Sequence, residues 1–251
     1  MSGPPLLAYT LRLADDALVL GHRLSEWTGS APLLEEEMAL ANMGLDLIGQ
    51  ARALYAYAGE VVGKGRSEDD LAFLRDEGEF TNLLLVEQPN GDFARTMARQ
   101  LLYAAFARPF WQTTTGSRDA TLAASAAKAE KEMAYHVRHS GEWLIRLGDG
   151  TAESHERAQA ALGELWPCTG ELFETDDTAR ALIEEGIAAD PAPLRPVWEE
   201  TVGHVLAEAT LARPPDGWMQ SGGRAGRHSE HLGPMLAVMQ VLPRRHPGAR
   251  W

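Results

Sequence analysis

From Leu33 to Val62 the chain runs thirty residues without a proline, between the breakers Gly29-Ser30-Ala31-Pro32 and Gly63-Lys64-Gly65. Met38, Ala41, Leu45, Ile48, Arg52 and Tyr55 step through it by three or four, the spacing of one helix face. The pattern predicts a long helix with that one stripe buried. So long an amphipathic helix needs partners of similar length to cover it, and the remaining sequence supplies them.

Leu11, Leu13, Leu18, Leu20, Leu24 and Trp27 give helical spacing from Tyr9 to Trp27. Ser67 and Asp70 are placed as a capping pair for a short helix through Phe73. Asp92, after the turn EQPNGD, suits the N-cap of a helix from Phe93 to Trp111. A helix from Asp119 to Leu147 ends at Gly148, a good C′ residue. Thr151 to Phe173 follows, then a short helix to Gly186. Pro196 fits the first turn of a helix to Leu211, and a last helix covers His231 to Val241. No stretch alternates apolar and polar residues with β-branched enrichment over strand lengths. The expectation is one all-α domain over residues 1–251, a bundle of long antiparallel helices with additional C-terminal helices.

Composition narrows the function classes. The 251 residues are 45% hydrophobic and 24% charged, which suits a packed globular chain. The formal net charge of −13 disfavours nucleic-acid backbones and anionic lipid surfaces. One cysteine, Cys168, excludes an internal disulfide framework and any CxxC motif, and is expected to be a small buried thiol in a reducing compartment. With no basic leader before an apolar run, and no window near about 18 uninterrupted apolar residues, a cytoplasmic protein is expected.

A helical bundle of this kind often carries a di-metal carboxylate centre, built in part from Glu-x-x-His pairs whose i and i+3 side chains share a face. The stretch KEMAYHVRHS resembles such a helix. Yet the residues three before the eight histidines are Val19, Met133, His136, Ala152, Thr201, Ala225, His228 and Pro243. Glu132 is one position too early and Met133 stands where the carboxylate belongs. Glu132, His136, His139 and Trp143 form a polar stripe with three readings: a partly buried hydrogen-bonded face, a contact between subunits, or a mononuclear metal site. His228 and His231 flank Glu230, as a helix-start hydrogen-bond cluster or part of a zinc site. SGGRAGRH is no phosphate loop, though its two arginines are suited to grip an anionic group; a solvated loop is the plain alternative. No G-x-S-x-G elbow is present. Seven tryptophans exceed what a core needs, and some suit an interface.

These stretches carry a resemblance. AYTLRLADDALVLGHRLSEW, MALANMGLDLIGQAR, LAFLRDEGEFTNLLLVEQPNGDFA, KEMAYHVRHSGEWLIRLGDGT, EEGIAADP and HSEHLGPMLAVMQ run in order from Ala8 nearly to the C-terminus. Together they resemble the PaaC family, the non-catalytic, ferritin-like subunits of bacterial phenylacetyl-CoA epoxidases. The resemblance implies a ferritin-like bundle in aerobic phenylacetate degradation, with no cofactor in this chain. It implies a homologous catalytic subunit holding the di-iron centre, small accessory subunits, and a reductase with NADPH, FAD and iron-sulfur. It places Glu79, Phe80, Thr81 and Asn82, and Arg180, Ala181 and Leu182, beside phenylacetyl-CoA. A stand-alone ferritin-like metal-binding protein or enzyme is the alternative.

Overall fold

The structure, a computed structural model, describes residues 3–63 and 65–249. Ten α-helices and no strand are present among these residues. In chain order they are α1 Gly3–Ser25, α2 Leu34–Val62, α3 Glu68–Phe73, α4 Leu84–Glu87, α5 Phe93–Thr114, α6 Ala120–Gly148, α7 Ala152–Leu165, α8 Asp177–Glu184, α9 Arg195–Glu208 and α10 Leu232–Arg245. The hairpins α1–α2 and α5–α6 pack through α2 and α6 into a ferritin-like four-helix bundle. α7 and α9 cover α5, α8 rests on α1, and α10 lies near α3.

The start signals work as the sequence predicts. Asp92 accepts the Arg95 backbone N–H at 2.9 Å to open α5. Asp119, expected as the first residue of α6, is instead its N-cap and accepts the N–H groups of Thr121 and Leu122. Ser67 and Asp70 form a reciprocal capping box at α3. α1 begins at Gly3 rather than Tyr9, because Pro4 and Pro5 fall in its first turn, where a missing N–H loses no bond. The expected helix to Phe173 stops instead at Leu165 and continues as two 3₁₀ turns, Trp166–Cys168 and Gly170–Phe173. Pro167 at that point cannot donate to the preceding turn.

The buried apolar side chains form one continuous cluster, with Leu20, Leu47, Leu101 and Met133 inside the bundle. Trp198 is fully buried and its indole N–H donates to the Leu102 carbonyl at 2.9 Å, tying α9 to α5. Trp111 and Trp166 are also core, Trp27 and Trp143 pack edge-on against Phe93, and Trp218 is exposed. Trp251 lies outside the described residues. Among the described residues no helix is long and apolar enough to cross a membrane.

The stripe on α2 needs correction. The residues facing the bundle are Leu40, Met43, Leu47, Ala51 and Leu54, while Met38 and Leu45 are 59% and 65% exposed. Of the expected stripe, Tyr55 is buried; Arg52 and most of the rest face outward. α2 is apolar on two sides, so periodicity finds a stripe without saying which one the bundle covers.

Candidate functional site

Two buried polar clusters stand out. The first is in the bundle. His136 on α6 is fully buried: the Gln100 side-chain amide on α5 donates to Nδ1 at 2.9 Å, and Nε2 faces Asp46 on α2 at 3.3 Å. With Nδ1 accepting, the ring proton sits on Nε2, toward the carboxylate. One turn earlier on α6, Glu132 accepts the Gln50 amide at 2.8 Å and pairs with Lys128 at 2.9 Å. His139 lies 3.0 Å from Glu36, and burial, outweighing that carboxylate, lowers its pKa below 6.5. The stripe from Glu132 to Trp143 is thus a partly buried, hydrogen-bonded and packed face. Met133 is fully buried among apolar neighbours. Among the described residues no three His, Cys, Asp or Glu side chains converge on one point. The donor set of this helix therefore does not fit a di-metal centre.

The second cluster surrounds one turn of α1, Arg12 to Asp16, and is richer in charge. Asp15 is fully buried and accepts from the Tyr55 hydroxyl at 2.5 Å, from both terminal nitrogens of Arg75, and from the Thr81 backbone N–H at 2.8 Å. Arg75 also stacks over the Phe80 ring, 4.2 Å from its centroid. Asp16 accepts the Leu83 N–H at 2.7 Å and two bonds from Arg224 at 2.7 and 3.1 Å. Burial raises the Asp16 carboxyl to about 6, against the pull of Arg224 and the Leu83 N–H, so the pair is ionic at neutral pH.

The glycine-arginine segment is not a free solvated loop: Arg224 is spent on Asp16, while Arg227 stays exposed. The segment is docked onto residues 78–84. A Cβ on Gly223 would collide with the Asn82 carbonyl, and Gly226 turns through φ +71° against the Gly78 carbonyl. Glu171 fastens it, accepting the Gly222 N–H at 3.0 Å and the Leu84 N–H at 2.8 Å. His228 Nδ1 lies 2.8 Å from Glu87 and Nε2 lies 2.9 Å from the Phe80 carbonyl. Both partners only accept, so both ring nitrogens donate and the ring is a cation. Burial opposes that charge, but the bonds to Glu87 and Phe80 outweigh it and raise the pKa above 6.5. The His228–His231 pair is thus a hydrogen-bond cluster at the approach to α10; only His228 bonds Glu87, and the His231 carbonyl accepts from Arg23 at 3.0 Å.

The two segments that the resemblance places beside a ligand flank this same turn of α1. Asp15 and Asp16 hold residues 81–83, while Arg12 forks onto Asp176, the N-cap of α8, at 2.7 and 3.1 Å. Phe80, Asn82 and Leu182 are buried: Phe80 lies under Arg75 and Asn82 donates to Glu87 at 2.9 Å. Glu79 is exposed and accepts the Asp76 N–H at 2.8 Å; Thr81 is half-buried. Arg180 and Ala181 are exposed, with Arg180 paired to Asp177 at 2.5 Å. A cavity beside Arg12, Asp16, Ala179 and Arg224, which none of residues 79–82 and 180–182 lines, has a volume of about 40 Å³. That admits water rather than an acyl chain, so the groups here that are free to meet a large ligand lie on the surface. Cys168 is buried, which pushes its thiol up to about 12.

Sequence reasoning misses Asp15, Asp16, Arg75, Glu87 and Glu171 as a charged network. One signal is available: two adjacent aspartates amid the apolar residues of α1. Their partners lie up to 208 positions away and no spacing rule reaches them.

Comparison with known proteins finds a sequence likeness along nearly the whole chain. A family model described as "Phenylacetic acid catabolic protein" matches residues 2–251. The chain is 54% identical over 246 residues to a subunit of the 1,2-phenylacetyl-CoA epoxidase of Escherichia coli strain K12, covering 98% of this chain and 99% of that one. The chain belongs to the phenylacetic acid catabolic protein family.

Proposed function

We propose that this chain is a structural subunit of a phenylacetyl-CoA epoxidase acting in phenylacetate catabolism. It pairs with a homologous catalytic subunit, which holds the di-iron centre and supplies the oxygen chemistry when reduced by a reductase carrying NADPH-derived electrons. The observation that carries this reading is the end-to-end likeness to an epoxidase subunit together with an α6 helix whose carboxylate position is Met133. At that level of the bundle the two ring nitrogens of His136 are taken up by the Gln100 amide and by Asp46, which supports a hydrogen-bonding role for this histidine, although the buried Gln100 Oε1 has no partner.

The contribution to substrate binding in this reading comes from the edge flanking α1. Glu79, Thr81, Arg180 and Ala181 offer their exposed atoms to the CoA ester, while Phe80, Asn82 and Leu182 set the backbone beneath them. The chain's acidic surface gives no long-range attraction to a polyanionic ester, so local contacts must act.

Reconstitution tests the proposal. The chain and the catalytic subunit of the same host, purified separately and mixed at micromolar concentration, are expected to sediment as one species, with all iron in the catalytic subunit. Two independent species, or about two irons per chain bound by this protein alone, would reject it in favour of a stand-alone metal protein.

A further inference from the structure

α2 is apolar on two faces, and the bundle covers only one of them. On the other, Leu34, Met38, Leu45 and Ile48 are 70%, 59%, 65% and 37% exposed. An apolar stripe of that length on a helix otherwise held in a core calls for a second cover. Among the described residues, nine of the eleven large apolar side chains left in water lie on α2 and its approach, at Leu74, or on α10. They are therefore concentrated rather than scattered.

The exposed apolar side chains of α2 and α10 adjoin grooves at neighbouring turns of α1. Leu18 shares a groove of about 260 Å³ with Ile48 of α2 and Phe73 of α3. His22, one turn further along α1, shares the next groove with Val238 of α10. Val238 is 71% exposed and Leu242, one turn on, 55%. Nine such side chains, each about half in water, offer on the order of 800 Å² of apolar surface, what one partner contributes to a stable interface.

Charge decides which partner. At the rim, among the described residues, Glu35, Glu37 and Asp69 form no ion pair, whereas Arg23, Arg52 and Arg244 are each paired within the chain, to Glu26, Glu68 and Asp76. Arg66, beside the start of α3, and Arg245, at the end of α10, are the exceptions. Each copy of this chain carries a net charge of −13. Two copies meeting through this face would bring unpaired acids together, which disfavours self-association.

We propose that the face formed by α2, α1 and α10 is the docking surface for the unlike catalytic subunit, which meets it with an apolar centre and a basic rim. The inference rests on the pairing proposed above and adds where it occurs.

The test measures the affinity of the full chain for the purified catalytic subunit. Met38→Asp/Leu45→Asp is expected to raise Kd by about a hundredfold or more, as two central apolar contacts become buried charges. Val238→Asp should raise it about tenfold. Val197→Asp, 47% exposed on α9, is the control and should leave Kd unchanged. A milder Met38→Ser/Leu45→Ser chain should lose about tenfold with an unaltered circular dichroism spectrum, which separates docking from folding. Wild-type Kd in both α2 variants would overturn the surface while leaving the pairing intact. Self-association of the wild-type chain that Met38→Asp/Leu45→Asp dissolves would overturn it in favour of a second copy. A wild-type chain that never binds the catalytic subunit would overturn the pairing, and this surface with it.

Discussion

The polar cluster of the bundle and the one around Arg12–Asp16 are both withdrawn from water, yet they handle charge differently. In the bundle, a histidine lies between an amide and a carboxylate, and a methionine packs beside it. Around α1, Asp15 and Asp16 are each matched by an arginine, and Glu87 by a histidine cation, all from distant parts of the chain. The first cluster needs little from its surroundings. The second is stable only while every partner is present, because removing one leaves a buried charge without a counterpart.

Arg224→Met sets that difference at its largest. It leaves Asp16 buried and unpaired and should cost about 3–5 kcal/mol in urea unfolding, with Asp16→Leu/Arg224→Met recovering part of the loss because no charge then remains. If the single variant costs no more than a surface substitution, the cluster is not acting as an ionic unit.

Met133→Glu applies the opposite change to the bundle, adding a carboxylate one turn before His136. It should cost about 2–3 kcal/mol, and metal analysis should find no stoichiometric iron in the isolated variant, since the second helix pair lacks the Glu-x-x-His motif too. Stable iron binding would mean that the bundle needs only one restored ligand.

The two histidines give the comparison a sign. His228 has its pKa raised above 6.5 in the fold, so the stability it adds is complete below 6.5 and is lost as pH rises through the folded value. The groups facing it are Glu87, Glu77 and the Phe80 carbonyl. His139 has its pKa lowered, so its contribution is present above 6.5 and is lost as pH falls. In thermal melts from pH 5 to 8, His228→Asn should cost about 1.5–2 kcal/mol at acidic pH and flatten the alkaline decline. His139→Asn should flatten the acidic one. Matching profiles for the two variants would show that both rings sit in equivalent environments.

Arg180→Ala should have the smallest effect on the fold, within about 0.5 kcal/mol, because its pair with Asp177 is exposed. In the assembled enzyme it should raise the apparent KM by up to about tenfold and leave kcat nearly unchanged, as for a contact made equally in ground and transition states. An unchanged KM in well-assembled enzyme would remove Arg180 from the substrate edge.

What the sequence discloses follows the range of each interaction. The caps at Asp92 and Ser67 are legible because donor and acceptor are three residues apart. The substitution of Met133 for a carboxylate is legible for the same reason. α2 marks a limit: two apolar stripes on one helix look alike until the neighbours are placed. Arg224 and His228 lie beyond it, since their partners are 208 and 141 positions away, and a glycine-rich segment with arginines reads the same whether free or docked.

The docked segment also has a bearing on how the protein is made. Translation delivers Asp16, Glu87 and Glu171 well before Gly222, Arg224 and His228. A nascent chain halted near residue 215 has α1 to α9 in hand but three acids still waiting for these late partners. The bundle is thus held short of its final state until nearly the whole message has been read, and a transcript cut short before residue 222 should yield a product that proteases clear rather than a smaller working protein.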